Sequence, residues 1–136
     1  MPEVKFVLNN PKTGRTYQKV LESNPYINKK IGDKISGNEI ELSGYELEIR
    51  GGSDKSGCPM RFDMPGYGKK KALLSKGPCV HIKRKGKRVK KTVAGNTINE
   101  DIVQVNLKIL KEGSKKINEI FPDAEKKEEA PKAEAV

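Results

Sequence analysis

Eleven cations stand between Met64 and Asn99 without one acid among them: Lys69, Lys70, Lys71, Lys76, Lys83, Arg84, Lys85, Lys87, Arg88, Lys90 and Lys91. The whole chain has a formal net charge of +10, so the remaining residues sum to −1 and the basicity is local. Charge segregated in this way repels itself unless a polyanion neutralises it, and nucleic acid is the first candidate. Lys55 and Arg61 lie just upstream in the same Gly- and Lys-rich stretch, residues 51–95, and join the set. Lysine supplies a mobile point charge; Arg84 and Arg88 can hold a phosphate through two parallel N–H bonds. Tyr67 and His81 are the candidates for stacking on an unpaired base. The competing readings are a solvated charged face for the cations, and surface packing for the two rings.

Other chemistry finds less support. No GxxxxGK[ST] string occurs, and Gly66-Tyr67-Gly68 lacks the later glycine of a dinucleotide fingerprint. Asp54 and Asp63 are the only acids of the central region, and His81 is the only histidine. No Ser/His/Asp or paired-carboxylate arrangement is visible, so the expectation is a protein that is not an enzyme and takes no cofactor or small-molecule substrate. Cys58, Cys79 and His81 make three ligand types without a CxxC pair or an obvious fourth, so no metal is expected and the cysteines read as small buried hydrophobes. The opening residues have neither a basic start nor a long apolar middle, and no apolar run approaches the ~20 residues of a membrane span. A cytoplasmic protein without a disulfide is the expectation.

The elements that must position this stretch are short. Residues 3–9 and 15–21 read as two strands joined by a turn at Asn10, Pro11 and Gly14, making a hairpin. Residues 23–34 are ambiguous: Ser23 or Asn24 can cap a helical turn with Pro25 at its first position, with Ile27 and Ile31 on one face and Gly32 as the stop. Residues 45–50 alternate cleanly, with Tyr45, Leu47 and Ile49 facing inward. The pattern dissolves from Gly51 onward. A strand of at most residues 72–75 follows, then residues 80–83 and 89–93 as a ribbon folded around Gly86.

Residues 102–110 form the strongest strand, with Val103, Val105, Leu107 and Ile109 inward; Ile102 and Leu110 fall out of phase, so burial on both sides is open at its ends. Residues 114–121 suit a short helix that packs Ile117, Ile120 and Phe121 back, ended by Pro122. Residues 123–136 are Ala, Glu, Lys and Pro with no large apolar anchor, the composition of a disordered tail. The expected fold is mainly β: one small antiparallel, barrel-like domain over residues 1–122, with a basic insertion and one or two short helical turns.

Three strings carry a resemblance. They are GGSDKSGCPM over residues 51–60, LLSKG over 73–77, and RKGKRVKKTVAG over 84–95. Together with the early hairpin and the strand DIVQVNL, the chain resembles small-subunit ribosomal protein six of the archaeal and eukaryotic type over roughly residues 2–112. The resemblance implies a structural constituent of the small ribosomal subunit with a compact β-barrel-like body. It implies partners too: ribosomal RNA and neighbouring ribosomal proteins, with the chain a monomer within the subunit. Eukaryotic members add a long basic, phosphorylated extension; this chain carries a short, partly acidic tail instead, which fits an archaeal member. The alternatives left standing are a free RNA-binding regulator or chaperone, and a barrel-type protein-interaction module.

Overall fold

The computed structural model describes residues 3–121. The hairpin forms where expected, from β1 (Val4–Asn10) and β2 (Arg15–Leu21), in register from Val4 opposite Leu21 to Asn10 opposite Arg15. Its turn closes through Gly14 N donating to Asn10 O (2.9 Å) and Lys12 N donating to Asn10 Oδ1 (3.0 Å). After a looped segment come β3 (Lys34–Ser36), a 3-10 turn (Gly37–Ile40) and β4 (Glu46–Asp54). Then follow β5 (Lys69–Leu74), β6 (Val89–Ala94), β7 (Ile102–Lys111) and the single-turn α1 (Ile117–Ile120).

Five strands form one sheet in the order β2-β1-β7-β4-β3; β5 and β6 form a separate two-stranded ribbon. The mainly-β expectation holds. The sheet stays open, with β2 and β3 at its edges, and one pair is parallel: β1 runs alongside β7. Most of the basic stretch lies between β4 and β7, which pair antiparallel, and it returns the chain to the middle of the sheet.

Cross-strand register assembles the core on one face. Phe6 stands opposite Val105, Leu8 opposite Leu107, Ile49 opposite Leu107, Leu47 opposite Ile109, and Ile35 opposite Leu47. All are buried, each large apolar side chain contributing about 1.5–3 kcal/mol relative to exposure. Tyr26 closes this face edge-on against Phe6, with ring centres 5.8 Å apart. The last turn packs back as expected: Phe121 stacks on Tyr17 at 5.3 Å, Ile117 is buried, and Tyr17 Oη donates to Asn118 Oδ1 at 2.9 Å.

Four local expectations need correction. Residues 23–33 form turns rather than a helical turn, although Asn24 caps as expected, its Oδ1 accepting from Tyr26 N at 3.0 Å. Asn28 has φ 71°, and backbone bonds run instead to the far end of the basic stretch: Asn28 N to Ile98 O (2.9 Å), Ile98 N to Lys29 O (2.9 Å), Ile31 N to Asn96 O (3.0 Å). The buried anchor there is Tyr26, and Ile27 is exposed.

Second, the pattern does not dissolve at Gly51, because β4 continues to Asp54 with bulges. Gly52 lies against the Gln104 carbonyl of β7 so closely that any side chain would collide with it. Third, Ile102 rather than Val103 faces the core: Ser53 pairs with Gln104 and Asp54 with Ile102, so Val103 is the bulged residue and the phase flips.

Fourth, residues 80–83 are not a strand, and β6 pairs with β5. Val80 and Ile82 carry β propensity, but Pro78 and Cys79, at φ 59°, turn the chain before they can pair. Cys79 is exposed and Cys58 half-buried, so the reading of both as buried hydrophobes fails for Cys79. The tail expectation for residues 123–136, and the role of Pro122, fall outside the described residues.

Candidate nucleic-acid interface

The β5–β6 ribbon carries cations on both of its faces. Across the ladder, Lys69 faces Ala94, Lys71 faces Thr92 and Leu73 faces Lys90 on one side. On the other, Lys70 faces Val93, Ala72 faces Lys91 and Leu74 faces Val89. One side therefore presents Lys69, Lys71 and Lys90, the other Lys70 and Lys91, because alternate residues of a strand point to opposite faces. Residues 75–88 close the ribbon. In that loop Lys76, His81, Lys83, Arg84, Lys85, Lys87 and Arg88 are all exposed. Ile82, Lys83, Arg84, Lys85, Lys87 and Arg88, with Ser75 and Gly86, line an open concavity of about 510 Å³.

A continuous set of backbone bonds ties the ribbon to the sheet. Met60 N donates to Gly52 O (2.9 Å), so residues 59–61 lie along β4. Ala94 N donates to Pro59 O (2.8 Å) and Arg61 N to Ala94 O (3.1 Å), which stitches β6 to that segment. Gly95 N donates to Gly68 O (3.0 Å), Asn96 N to Met64 O (2.8 Å) and Thr97 N to Gly66 O (3.3 Å), fixing the loop of residues 61–68 across the ribbon root. Buried Met60 and Ala94 belong to the main core. The ribbon is thus an arm with a fixed base rather than a floppy insertion.

The structure divides the thirteen sequence-nominated cations into two groups. Three have a carboxylate partner. Lys55 Nζ lies 2.8 Å from Asp101 Oδ1, and this contact raises the lysine pKa and lowers that of the aspartate. Lys69 Nζ lies 3.4 Å from the buried Asp54 Oδ2 and donates to Ser56 Oγ at 2.5 Å. Arg61 is turned inward, its side chain only 15% exposed; Nε pairs with Asp63 Oδ1 at 2.6 Å and Nη1 donates to Lys76 O at 3.0 Å. The other ten have no carboxylate within 4.0 Å among the described residues: Lys70, Lys71, Lys76, Lys83, Arg84, Lys85, Lys87, Arg88, Lys90 and Lys91. Exposed cations without partners retain their full charge for a ligand.

Asp54 explains the string around it. Its Oδ1 accepts from Ser56 N (2.8 Å) and Cys58 N (3.0 Å), so the carboxylate is a loop cap held at 4% exposure. Of the two rings nominated for stacking, Tyr67 is 54% exposed, with its hydroxyl donating to Asn28 Oδ1 at 2.6 Å, and His81 is exposed in the 75–88 loop. Two apolar side chains escaped the sequence reading. Phe62 is 72% exposed in the loop of residues 61–68, and Leu73 is 61% exposed on the Lys71–Lys90 face. Neither sits in a periodic pattern that would reveal its exposure.

The chain is similar to known proteins along most of its length. The family described as ribosomal protein S6e matches residues 4–122. A protein of Methanocaldococcus jannaschii named small ribosomal subunit protein eS6 is 52% identical over 121 residues, 89% of this chain and 92% of the relative. Proteins of the same name from Archaeoglobus fulgidus and Methanoculleus marisnigri are 46% and 40% identical, covering 90% and 92% of this chain and 98% and 97% of their own lengths.

Proposed function

The chain belongs to the ribosomal protein S6e family, and from that premise we propose that its β5–β6 ribbon, with the 75–88 loop, is the surface that grips ribosomal RNA. The protein is a structural constituent of the small subunit of an archaeal ribosome and binds ribosomal RNA. It works in the cytoplasm beside neighbouring ribosomal proteins, as one copy per subunit, and performs no catalysis. The observation that carries the interface reading is the set of ten exposed cations that have no carboxylate partner among the described residues, gathered on an arm whose base is hydrogen-bonded to the sheet.

Mechanically, the sheet is the rigid platform and the ribbon the contact element. Lysines on both ribbon faces suit an environment with phosphate on two sides, as between packed RNA helices. Binding of this kind reads backbone and shape, because the deep, narrow groove of A-form RNA hides its base edges. Lys55, Arg61 and Lys69 hold the arm in place, and the ten unpaired cations take the phosphates.

The test is incorporation. Changing Lys83, Arg84, Lys87 and Arg88 together to Glu leaves the fold intact, because all four are exposed loop residues. The reading expects that folded variant to be lost from small subunits washed in high salt, while the wild type stays. Wild-type retention of the variant contradicts the assignment. Loss of the wild type in the same wash identifies a free RNA chaperone instead.

A further inference from the structure

The chain has three Phe and four Tyr. Phe6, Tyr17, Tyr26 and Tyr45 are buried, and Phe121 packs against the core. The remaining two, Phe62 and Tyr67, both lie in the loop of residues 61–68 at the ribbon root. Tyr67 has a polar hydroxyl and uses it on Asn28. The Phe62 side chain has no polar atom, yet the residue is 72% exposed.

That exposure is imposed by a fixed backbone. Asn96 Nδ2 donates to Phe62 O at 3.2 Å, and on either side Arg61 N donates to Ala94 O and Asn96 N to Met64 O. The Arg61 side chain reaches across to Lys76 O, which binds this loop to the start of the basic 75–88 loop. Asp63, the acid beside Phe62, is already paired with Arg61. An apolar ring is therefore held outward on a loop bonded to the root of the ribbon, whose cations have no carboxylate partner among the described residues. RNA satisfies both features together, since phosphates meet the cations and the face of an unstacked base meets the ring.

We propose that Phe62 is a base-stacking residue that takes an unpaired nucleobase of the RNA gripped by the ribbon. The assignment rests on the RNA-gripping reading above and adds to it a contact that salt does not screen. Stacking accepts any base, so Phe62 selects for an unpaired nucleotide rather than for a sequence.

The experiment uses the full chain and a small-subunit ribosomal RNA transcript containing single-stranded loops, titrated at several salt concentrations. Phe62→Ala keeps the wild-type melting midpoint, because the ring is exposed. It weakens binding by roughly 5- to 150-fold at every salt concentration, leaving the slope of log affinity against log salt unchanged. Phe62→Trp restores affinity. As the chain has no other Trp, its fluorescence is quenched on RNA binding. Wild-type affinity for Phe62→Ala, a lowered melting midpoint, or an unquenched Trp in a saturated complex overturns the assignment while leaving the ribbon reading intact. A wild type that shows no salt-dependent binding overturns both. In assembled subunits, a photo-reactive benzophenone side chain at position 62 crosslinks to RNA; a crosslink to a ribosomal protein instead means that Phe62 is a protein contact.

Discussion

The Gly66 carbonyl oxygen occupies the space that a side chain on Gly95 would need. This contact joins the two strings on either side of the ribbon, because residues 61–68 and 94–97 exchange their backbone bonds there. Gly95→Ala forces the two backbones apart, and overpacking of that kind costs about 1–3 kcal/mol. Urea unfolding measures the loss directly. Unchanged stability means that the ribbon root is not closely packed.

Cations that hold the arm and cations that bind RNA separate by a pair of substitutions. Arg61→Met removes the Asp63 pair and the bond to Lys76 O, lowering stability by about 1–2 kcal/mol without changing the salt dependence of RNA binding. Lys83→Met leaves stability unchanged and lowers the salt slope by about 0.7–0.9, the effect of one lost phosphate contact. Chemical denaturation and salt titration of both variants give the comparison. The reverse pattern contradicts that separation of roles.

Alkaline unfolding depends on Tyr26. Burial first, and the negative charge of Glu39 second, push its phenol up to about 12, and its hydroxyl donates to Ser36 O at 3.0 Å. The folded state holds this proton more tightly than the unfolded chain, whose phenol titrates near 10. The stabilisation is therefore complete below pH 10 and lost as pH rises through about 12. Melting midpoints between pH 9 and 12.5 fall steeply in that window, and Tyr26→Phe shrinks the fall. Four tyrosines titrating together near pH 10 in an intact fold contradict this account.

The body of the sheet was legible in the sequence, and the ribbon only in part. β1, β2, the first half of β4 and β7 alternate apolar with polar residues because one sheet face meets the core. β5 reads KKKALL and shows no such alternation, since the ribbon points lysines to both sides and half of it faces solvent on either hand. The extension of β4 through Gly52 was hidden as well, because the glycine is there for close approach to Gln104, a contact distant in sequence. The basic stretch was plain as a charge pattern. What the pattern did not show was that Lys55, Arg61 and Lys69 find acids, since Lys55–Asp101 and Lys69–Asp54 are paired by the fold rather than by local spacing. Phe62 stayed hidden for a similar reason, as exposure in an irregular loop leaves no period to read.

The measurement that bears most directly on the central claim is the salt dependence of RNA binding by the isolated protein. Each phosphate neutralised releases condensed counterion, giving a slope of roughly −0.7 to −0.9 per contact. If about six of the ten unpaired cations reach phosphates, the slope is about −4 to −5, and affinity falls roughly a thousandfold between about 50 and 200 mM salt. A slope near −1 to −2 would contradict the account, because it would mean that the ribbon and its loop face solvent or protein rather than RNA.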